Sequence, residues 1–313
     1  MNQVIWRLYR GQAWFALTAF VATAVVILVS GLKTYQDYHL MLKCHGAGWC
    51  GTVGVSSGNG LVSRSIAGSI LVLPGLLAMF WGVPLVAKEL EEGTHVLAWT
   101  QSVTRRRWIV ANLGWALLAS ATLGAAMSAL LTWWRGPANA AYGRLGTAFD
   151  IQGFVPVAYC VFGVTLGIAT GSLLKRVLPA LAATLGVLVA VRAAVAISLR
   201  SHFLTPISLT FRGNPDMMRF GALSKVWLLS ERTFDAAGHI VTPPFAWTAA
   251  CQTSASTNQS ISDCLAAHGY RTIFVFQPES RFWAFQTIES TIFLTLSILL
   301  VTFTYRRLSR RDA

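Results

Sequence analysis

The sequence predicts an all-α polytopic membrane protein: six transmembrane helices, with a small disulfide-stapled extracellular domain between helices 5 and 6. Three observations lead there. The 313 residues are 54% hydrophobic and only 12% charged, where a soluble domain carries about 25% charged residues. Six apolar runs, near 13–33, 65–87, 108–133, 154–174, 178–199 and 283–304, are each long enough for a hydrocarbon core that takes roughly 20 helical residues to cross. Four of the five cysteines form two close pairs in the segments between runs, Cys44 with Cys50 and Cys251 with Cys264.

Residues 1–12 interleave Ile5, Trp6 and Leu8 with Arg7 and Arg10. Such a segment suits an amphipathic helix lying along the inner membrane surface; it equally suits a basic flank that only enforces topology. No small-residue cleavage site follows it, so a signal peptide is not expected. The fourth and fifth spans are separated by a short turn at Lys175-Arg176. Pro179 follows early in the next helix, where its missing N–H would have no partner anyway. Gly163, Gly167 and Gly171 form a row at four-residue spacing in the fourth span. This row lets another helix approach closely, for packing within the subunit rather than at the dimer contact.

The basic residues set the orientation. Arg7 and Arg10, Lys88 and Arg105 to Arg107, Lys175 and Arg176, and Arg306, Arg307, Arg310 and Arg311 crowd into short segments on one side. The opposite segments, 34–64, 134–153 and 200–282, are longer and less densely basic. Both termini are therefore expected in the cytoplasm, with the basic tail 305–313 among the cytoplasmic segments. The net charge of +13 does not signal nucleic acid, because the cations flank apolar runs instead of forming an aromatic-laced patch. The cysteine pairs fall on the outer side, where disulfides persist. A metal reading would use His45 beside Cys44, or His268 after Cys264, but neither shows a full four-ligand spacing. Residues 200–282 are too long for a simple connection. Their turn formers (Gly213-Asn214-Pro215, Pro243-Pro244) and short apolar stretches predict a folded domain, which leads into the final span through Phe282 and Trp283.

The stretch 88–107, KELEEGTHVLAWTQSVTRRR, sets three carboxylates and three consecutive arginines between two long apolar runs. Topology alone accounts for its arginines. It does not account for Glu89-Leu90-Glu91-Glu92-Gly93-Thr94, nor for the exposed apolar turn around Trp99. Arg105 to Arg107 begin a helix, where cations oppose the helix dipole, so anionic lipid or an acidic partner is needed to hold them. This stretch resembles the first cytoplasmic loop of ABC-2-type transporter permeases, the single-protein permeases of actinobacteria in particular. Glu89, Glu92, Gly93, Thr94, Ser102 and Arg105 occupy the motif positions of that loop. The strip from Gln277 to Glu289, QPESRFWAFQTIE, is similar to the approach to the last span in the same group.

The resemblance implies a permease that works as a pair beside two copies of a separate cytoplasmic ATP-binding cassette subunit, in a bacterial plasma membrane. The second permease copy and membrane lipid would be its other partners. Segment 88–107 would be the coupling loop, with Trp99 in its apolar turn. The chain has no G-x-x-x-x-G-K-[ST] phosphate loop; it is not expected to be an enzyme, and needs no cofactor of its own. ATP and Mg would belong to the partner.

Within the membrane, Arg192 and Glu289 lie at similar depths from the outer ends of the fifth and sixth spans. Because a lone charge in hydrocarbon is costly, they are expected to pair with each other or to snorkel separately to the interface. Phe80 and Trp81 of the second span, with Leu185 and Leu188 of the fifth, are candidates for lining a substrate cavity for an amphipathic or hydrophobic cargo. The alternative function is a membrane sensor that uses 200–282 to bind a ligand and needs no ATPase.

Overall fold

The computed structural model describes residues 2–44, 60–91, 105–146, 148–213, 225–241, 251 and 258–309. The chain divides into two compact units. One comprises Met1–Pro137, Asp150–Ile197 and Gln286–Ala313, and the other Ala138–Phe149 and Ser198–Phe285.

The first unit is helical. Its elements are α1 (Asn2–Cys44), α2 (Gly60–Leu77), a π-helical turn (Ala78–Gly82), α3 (Val83–Glu91), α4 (Arg105–Trp134), α6 (Val155–Leu174), α7 (Val177–Ala194) and most of α9 (Phe282–Ser309); the short α5 (Gly136–Tyr142) follows α4. Among the described residues, five helical stretches are long and apolar enough to cross a membrane: Ser65–Lys88, Val110–Trp134, Val155–Leu174, Val177–His202 and Glu279–Arg307. They coincide with the second to sixth runs of the sequence. The first run lies inside α1, which continues unbroken from Asn2 to Cys44 over 43 residues. The sequence reading divided this segment at residues 12 and 33, yet it holds no proline, and neither Gly11 nor Gly31 is enough to end a helix. At about 1.5 Å per residue α1 is roughly twice as long as a hydrocarbon core is thick.

Helix α6 is the centre of this unit, with 78% of its apolar window buried. A helix apolar on every side has no face for water and packs on all sides. The glycine row decides how closely its neighbours approach. A methyl group at Gly163 would come within 2.6 Å of the Pro74 carbonyl oxygen, at Gly167 within 2.8 Å of the Ala78 oxygen, and at Gly171 within 3.0 Å of the Val83 oxygen. The row therefore packs against α2, the π turn and α3 of the same chain. Gly82 in the π turn is the reciprocal contact, against Val164 and Gly167. Pro74, inside α2, has no N–H to continue the ladder, and the helix passes into the π turn one turn later.

Hydroxyls in this apolar setting satisfy themselves on the preceding turn. Thr165 donates to Phe162 O, Ser172 to Ala169 O and Ser297 to Phe293 O. Thr170 and Thr184 also meet across α6 and α7 at 2.6 Å. Outward-facing apolar residues such as Leu178, Val189, Ile197 and Ile298 form a surface suited to lipid, since no backbone polar group on a helix needs water.

The second unit corrects the expectation of an all-α protein. It holds a four-stranded antiparallel sheet of order β1-β4-β2-β3, with β1 Ile207–Arg212, β2 Trp227–Phe234, β3 Ile240–Val241 and β4 Arg271–Gln277. The central strand β4, RTIFVFQ, is rich in β-branched and aromatic residues, and Phe274 and Phe276 are buried in the sheet core with Phe211 and Val226 packed against them. Thr233 and Thr272 face each other across β2 and β4 at 3.2 Å. The β2–β3 hairpin turns on Gly238 (φ +88°), a left-handed conformation that favours glycine. Asp235 braces it by accepting the His239 N–H at 2.8 Å; that bond, with a smaller contribution from the His239 ring, holds the Asp235 carboxyl below its ordinary range despite partial desolvation. Cys251 is bonded to Cys264 on α8 (Asn258–Ala267). The segment before α6 also contributes to this unit, where Arg144 pairs with Glu279 at 3.3 Å and lies over the rings of Phe282 and Trp283.

Candidate functional site

Two places in the helical unit bring polar side chains together. The first is the start of α6. A helix leaves its first N–H groups without internal partners, and inside an apolar bundle these need side chains from elsewhere. Gln286 of α9, fully buried, accepts from both Phe154 N–H and Val155 N–H at 2.9 Å. Its amide nitrogen donates to the Gln152 carbonyl at 3.1 Å. Ser128 of α4 donates to the Gly153 carbonyl at 2.6 Å. Gly153 sits at φ +77°, and a side chain there would strike Gln286. One glutamine thus fixes α9 to the N-terminus of α6.

One turn further along both helices, Tyr159 and Glu289 meet. Both are buried, and the tyrosine hydroxyl hydrogen-bonds to Glu289. The same hydroxyl is 2.9 Å from Asp150 Oδ1. The Arg192 guanidinium lies over the Tyr159 ring, 4.2 Å from its centroid, and donates to the Leu71 carbonyl at 2.9 Å. Cation–π attraction and a carbonyl acceptor both favour the charged arginine in an apolar setting. Leu71 is three residues before Pro74, in the part of α2 that the proline disturbs. Arg192 and Glu289, singled out from the sequence as a pair or as separate snorkelling groups, are thereby linked to one another through Tyr159. The sequence reading missed Tyr159 and Gln286. Their signals were a tyrosine in the middle of an apolar run, and a glutamine three residues before Glu289 on the same helical face.

The second place is the end of α3. Glu91 Oε2 accepts the Val177 N–H, the first of α7, at 3.0 Å. A carboxylate there satisfies an orphan donor and faces the positive end of the helix dipole. Helix α6 closes just before this point with Lys175 in the left-handed conformation (φ 54°), its N–H bonded to the Gly171 carbonyl at 3.0 Å. Glu91 was read only as part of an acidic run; the neighbours of Glu91 in sequence gave no sign that it reaches a helix 86 residues away.

Of the other sequence candidates, Glu89 lies in the last turn of α3 and Arg105 begins α4, but their side chains, like those of Arg7 and Arg10, are outside what the structure describes. Glu92, Gly93, Thr94, Trp99 and Ser102 lie outside the described residues, as do Cys50 and the side chain of Cys44. Phe80 is exposed. Trp81 packs against the buried cluster of Leu77, Leu85, Leu113 and Val164. Leu185 and Leu188 face Gly75 of α2, where an added methyl would come within 3.3 Å and 3.9 Å of them. Cys251, Cys264 and His268 offer donor atoms within 4.8 Å of one another, but the disulfide occupies both sulfurs, so in this state only the imidazole is available to a metal.

The ABC-2 membrane transporter related family matches residues 15–200. The chain belongs to that family. No curated protein and no solved structure matched it. The matched region runs from α1 to the end of the fifth apolar helix, and so includes the α3–α7 contact at Glu91 together with Tyr159 and Arg192. The chain is an ABC-2-type permease, the membrane component of an ABC transporter, a family whose members typically work with an ATPase subunit. Glu289 and Gln286 lie beyond the matched residues, and the structure attaches them to the family region through α6.

Proposed function

We propose that this permease couples ATP hydrolysis by a separate cytoplasmic ATPase to the export of an amphipathic or hydrophobic compound or peptide. Segment 88–107 is the coupling element, with Glu89, Glu92, Gly93, Thr94, Trp99, Ser102 and Arg105 as its contact and shape-determining residues. The observation that carries the reading is the bond from Glu91 to Val177 N–H. It supports a direct path from the coupling segment to a membrane helix, since a push on the end of α3 is delivered to the start of α7 without passing through flexible chain. At the other end of α7, Arg192 touches α2 and Tyr159, and Tyr159 touches Glu289 on α9. A tilt of α7 is thus felt in α2, α6 and α9 together. In this reading Arg192 and Glu289 act as a charge pair across the tyrosine, and Phe80, Trp81, Leu185 and Leu188 border the path of the cargo. The complex contains two permeases and two ATPases, the termini lie in the cytoplasm, and the sheet unit with its Cys251–Cys264 bridge lies outside, in line with the positive-inside pattern.

The test is a pull-down of the tagged permease from native membrane followed by an ATPase assay. The expected result is a stoichiometric cassette ATPase whose cargo-stimulated turnover is lost in Trp99→Ala and Glu92→Arg while the permease stays folded. A clean permease with no such partner and no ATP turnover would reject the coupling reading. It would move the assignment to a sensor, which the sheet unit would then serve.

A further inference from the structure

We propose that the end of α9 is a binding site for one anionic phospholipid. A groove of about 400 Å³ opens there, lined among the described residues by Leu299, Thr302, Phe303, Arg306 and Arg307. Leu299, Phe303 and Arg307 succeed one another at four-residue spacing, and Thr302 and Arg306 stand beside them, so all five share one helical face. Leu299 is 61% and Phe303 44% exposed. The Thr302 hydroxyl is already spent on the Ile298 carbonyl at 2.8 Å, so the groove floor asks for no polar ligand. Its rim does. Arg306 is exposed and Arg307 half-buried, and the Arg307 Nε has no hydrogen-bond partner among the described residues. From Ser290 to Ser309 the helix carries no acidic residue.

An apolar floor below two guanidinium groups matches a lipid: an acyl chain along Leu299 and Phe303, and a phosphate at Arg306 and Arg307. Length separates this occupant from others. Leu299 lies eight residues before Arg307, about 12 Å along the helix, and α9 belongs to an apolar stretch that ends at Arg307. The groove therefore runs from the interface into hydrocarbon, where neither a free phosphate nor a soluble protein follows. Juxtamembrane arginines favour anionic headgroups. The inference needs only that α9 crosses the membrane, and is independent of ATPase coupling.

Native mass spectrometry of the full-length permease in detergent tests it, titrating phosphatidylglycerol and phosphatidylcholine of identical acyl chains, with inorganic phosphate as competitor. Phosphatidylglycerol is expected to be retained preferentially, with affinity falling about fivefold for Arg306→Gln or Arg307→Gln and about thirtyfold for both. The double substitution to lysine should keep most of the preference, which also shows that the face tolerates change. Phe303→Ala should weaken both lipids alike. Equal retention of the two lipids by the native chain, or an undiminished preference in the double glutamine variant, would overturn the proposal. So would displacement of lipid by inorganic phosphate, which would make the site an aqueous anion site. Loss of a permease dimer in Phe303→Ala with the affinity for both lipids unchanged would also overturn it, assigning the face to a second copy.

Discussion

Gly167 offers a direct test of how the central helix is held. Replacing it with alanine would put a Cβ 2.8 Å from the Ala78 oxygen, 3.0 Å from the Val83 nitrogen and 3.1 Å from the Gly82 carbonyl carbon. All three are backbone atoms, so no side chain can rotate away, and ordinary contact begins near 3.4 Å. The helices must separate by about half an ångström or the π turn must shift; overpacking of this kind costs about 1–3 kcal/mol. Alanine also gains about 1 kcal/mol in helix propensity over glycine, which blurs the reading of a single variant. Gly186 on α7 removes that ambiguity, because a methyl there meets nothing within 4 Å among the described residues. Propensity acts equally in both variants, so the stability gap between Gly167→Ala and Gly186→Ala is the steric cost itself. At about 2–4 °C per kcal/mol for a domain of this size, the gap is several degrees. Thermal melting of the full-length chain in detergent, followed by tryptophan fluorescence, measures it. Equal melting temperatures for the two alanine variants would refute the claim that the glycine row sets the α6 contact.

Four further outcomes follow from the geometry. Tyr159→Phe keeps the ring under Arg192 but removes the hydroxyl from Glu289, costing about 1.5–3 kcal/mol; Glu289→Gln in the same background should recover part of it, and strictly additive melting shifts would argue that the two side chains are not coupled. Glu91→Ala removes the acceptor for Val177 N–H whereas Glu91→Gln keeps it, so cargo-stimulated ATP turnover should fall further in the alanine variant at equal permease levels; identical turnover would break the α3–α7 link. Cys251→Ser opens a loop of 13 residues, whose closure contributes roughly 3 kcal/mol on the chain-entropy account; amide exchange in α8 should accelerate, as it should with reductant, and unchanged protection would mean the bridge does not order the helix. Because the Asp235 carboxyl titrates below its ordinary value of 3.8, its support of the β2–β3 turn is complete above that value and disappears as pH falls through the lower folded-state value. The His239 amide should lose protection over that acid range in the native chain but show no such step in Asp235→Ala.

Five of the six apolar runs were legible at nearly their structural limits, because a span is set by length and hydropathy, properties a single segment carries by itself. The row Gly163, Gly167, Gly171 was legible as a close-approach face for a related reason: its spacing is a property of one helix. That it packs within the subunit was expected, but which helices it meets was not legible, because that depends on where the rest of the chain goes. The sheet was missed for a different reason. Its strands are short, and the central one, β4, comes last in sequence between partners that precede it by dozens of residues; the pattern RTIFVFQ reads equally as a short apolar stretch until β1 and β2 are beside it. In α1 the helix continues through the points where polarity changes, because nothing in the backbone interrupts it.

The sequence by itself determined that this chain has the make-up of a polytopic membrane protein, where five of its long apolar helices fall, and that its cations crowd beside the ends of apolar runs. Each of these follows from local composition, which the bilayer reads directly through the cost of moving polar groups into hydrocarbon. Only the tertiary structure decided which polar groups find each other: Gln286 on the start of α6, Tyr159 between Arg192 and Glu289, and Glu91 on the first amide of α7. The physical reason is that a buried donor or charge must be satisfied, but hydrogen bonding does not say from which part of the chain. That choice is made by packing, and here the glycine face of α6 contributes to it by letting α2, the π turn and α3 approach closely.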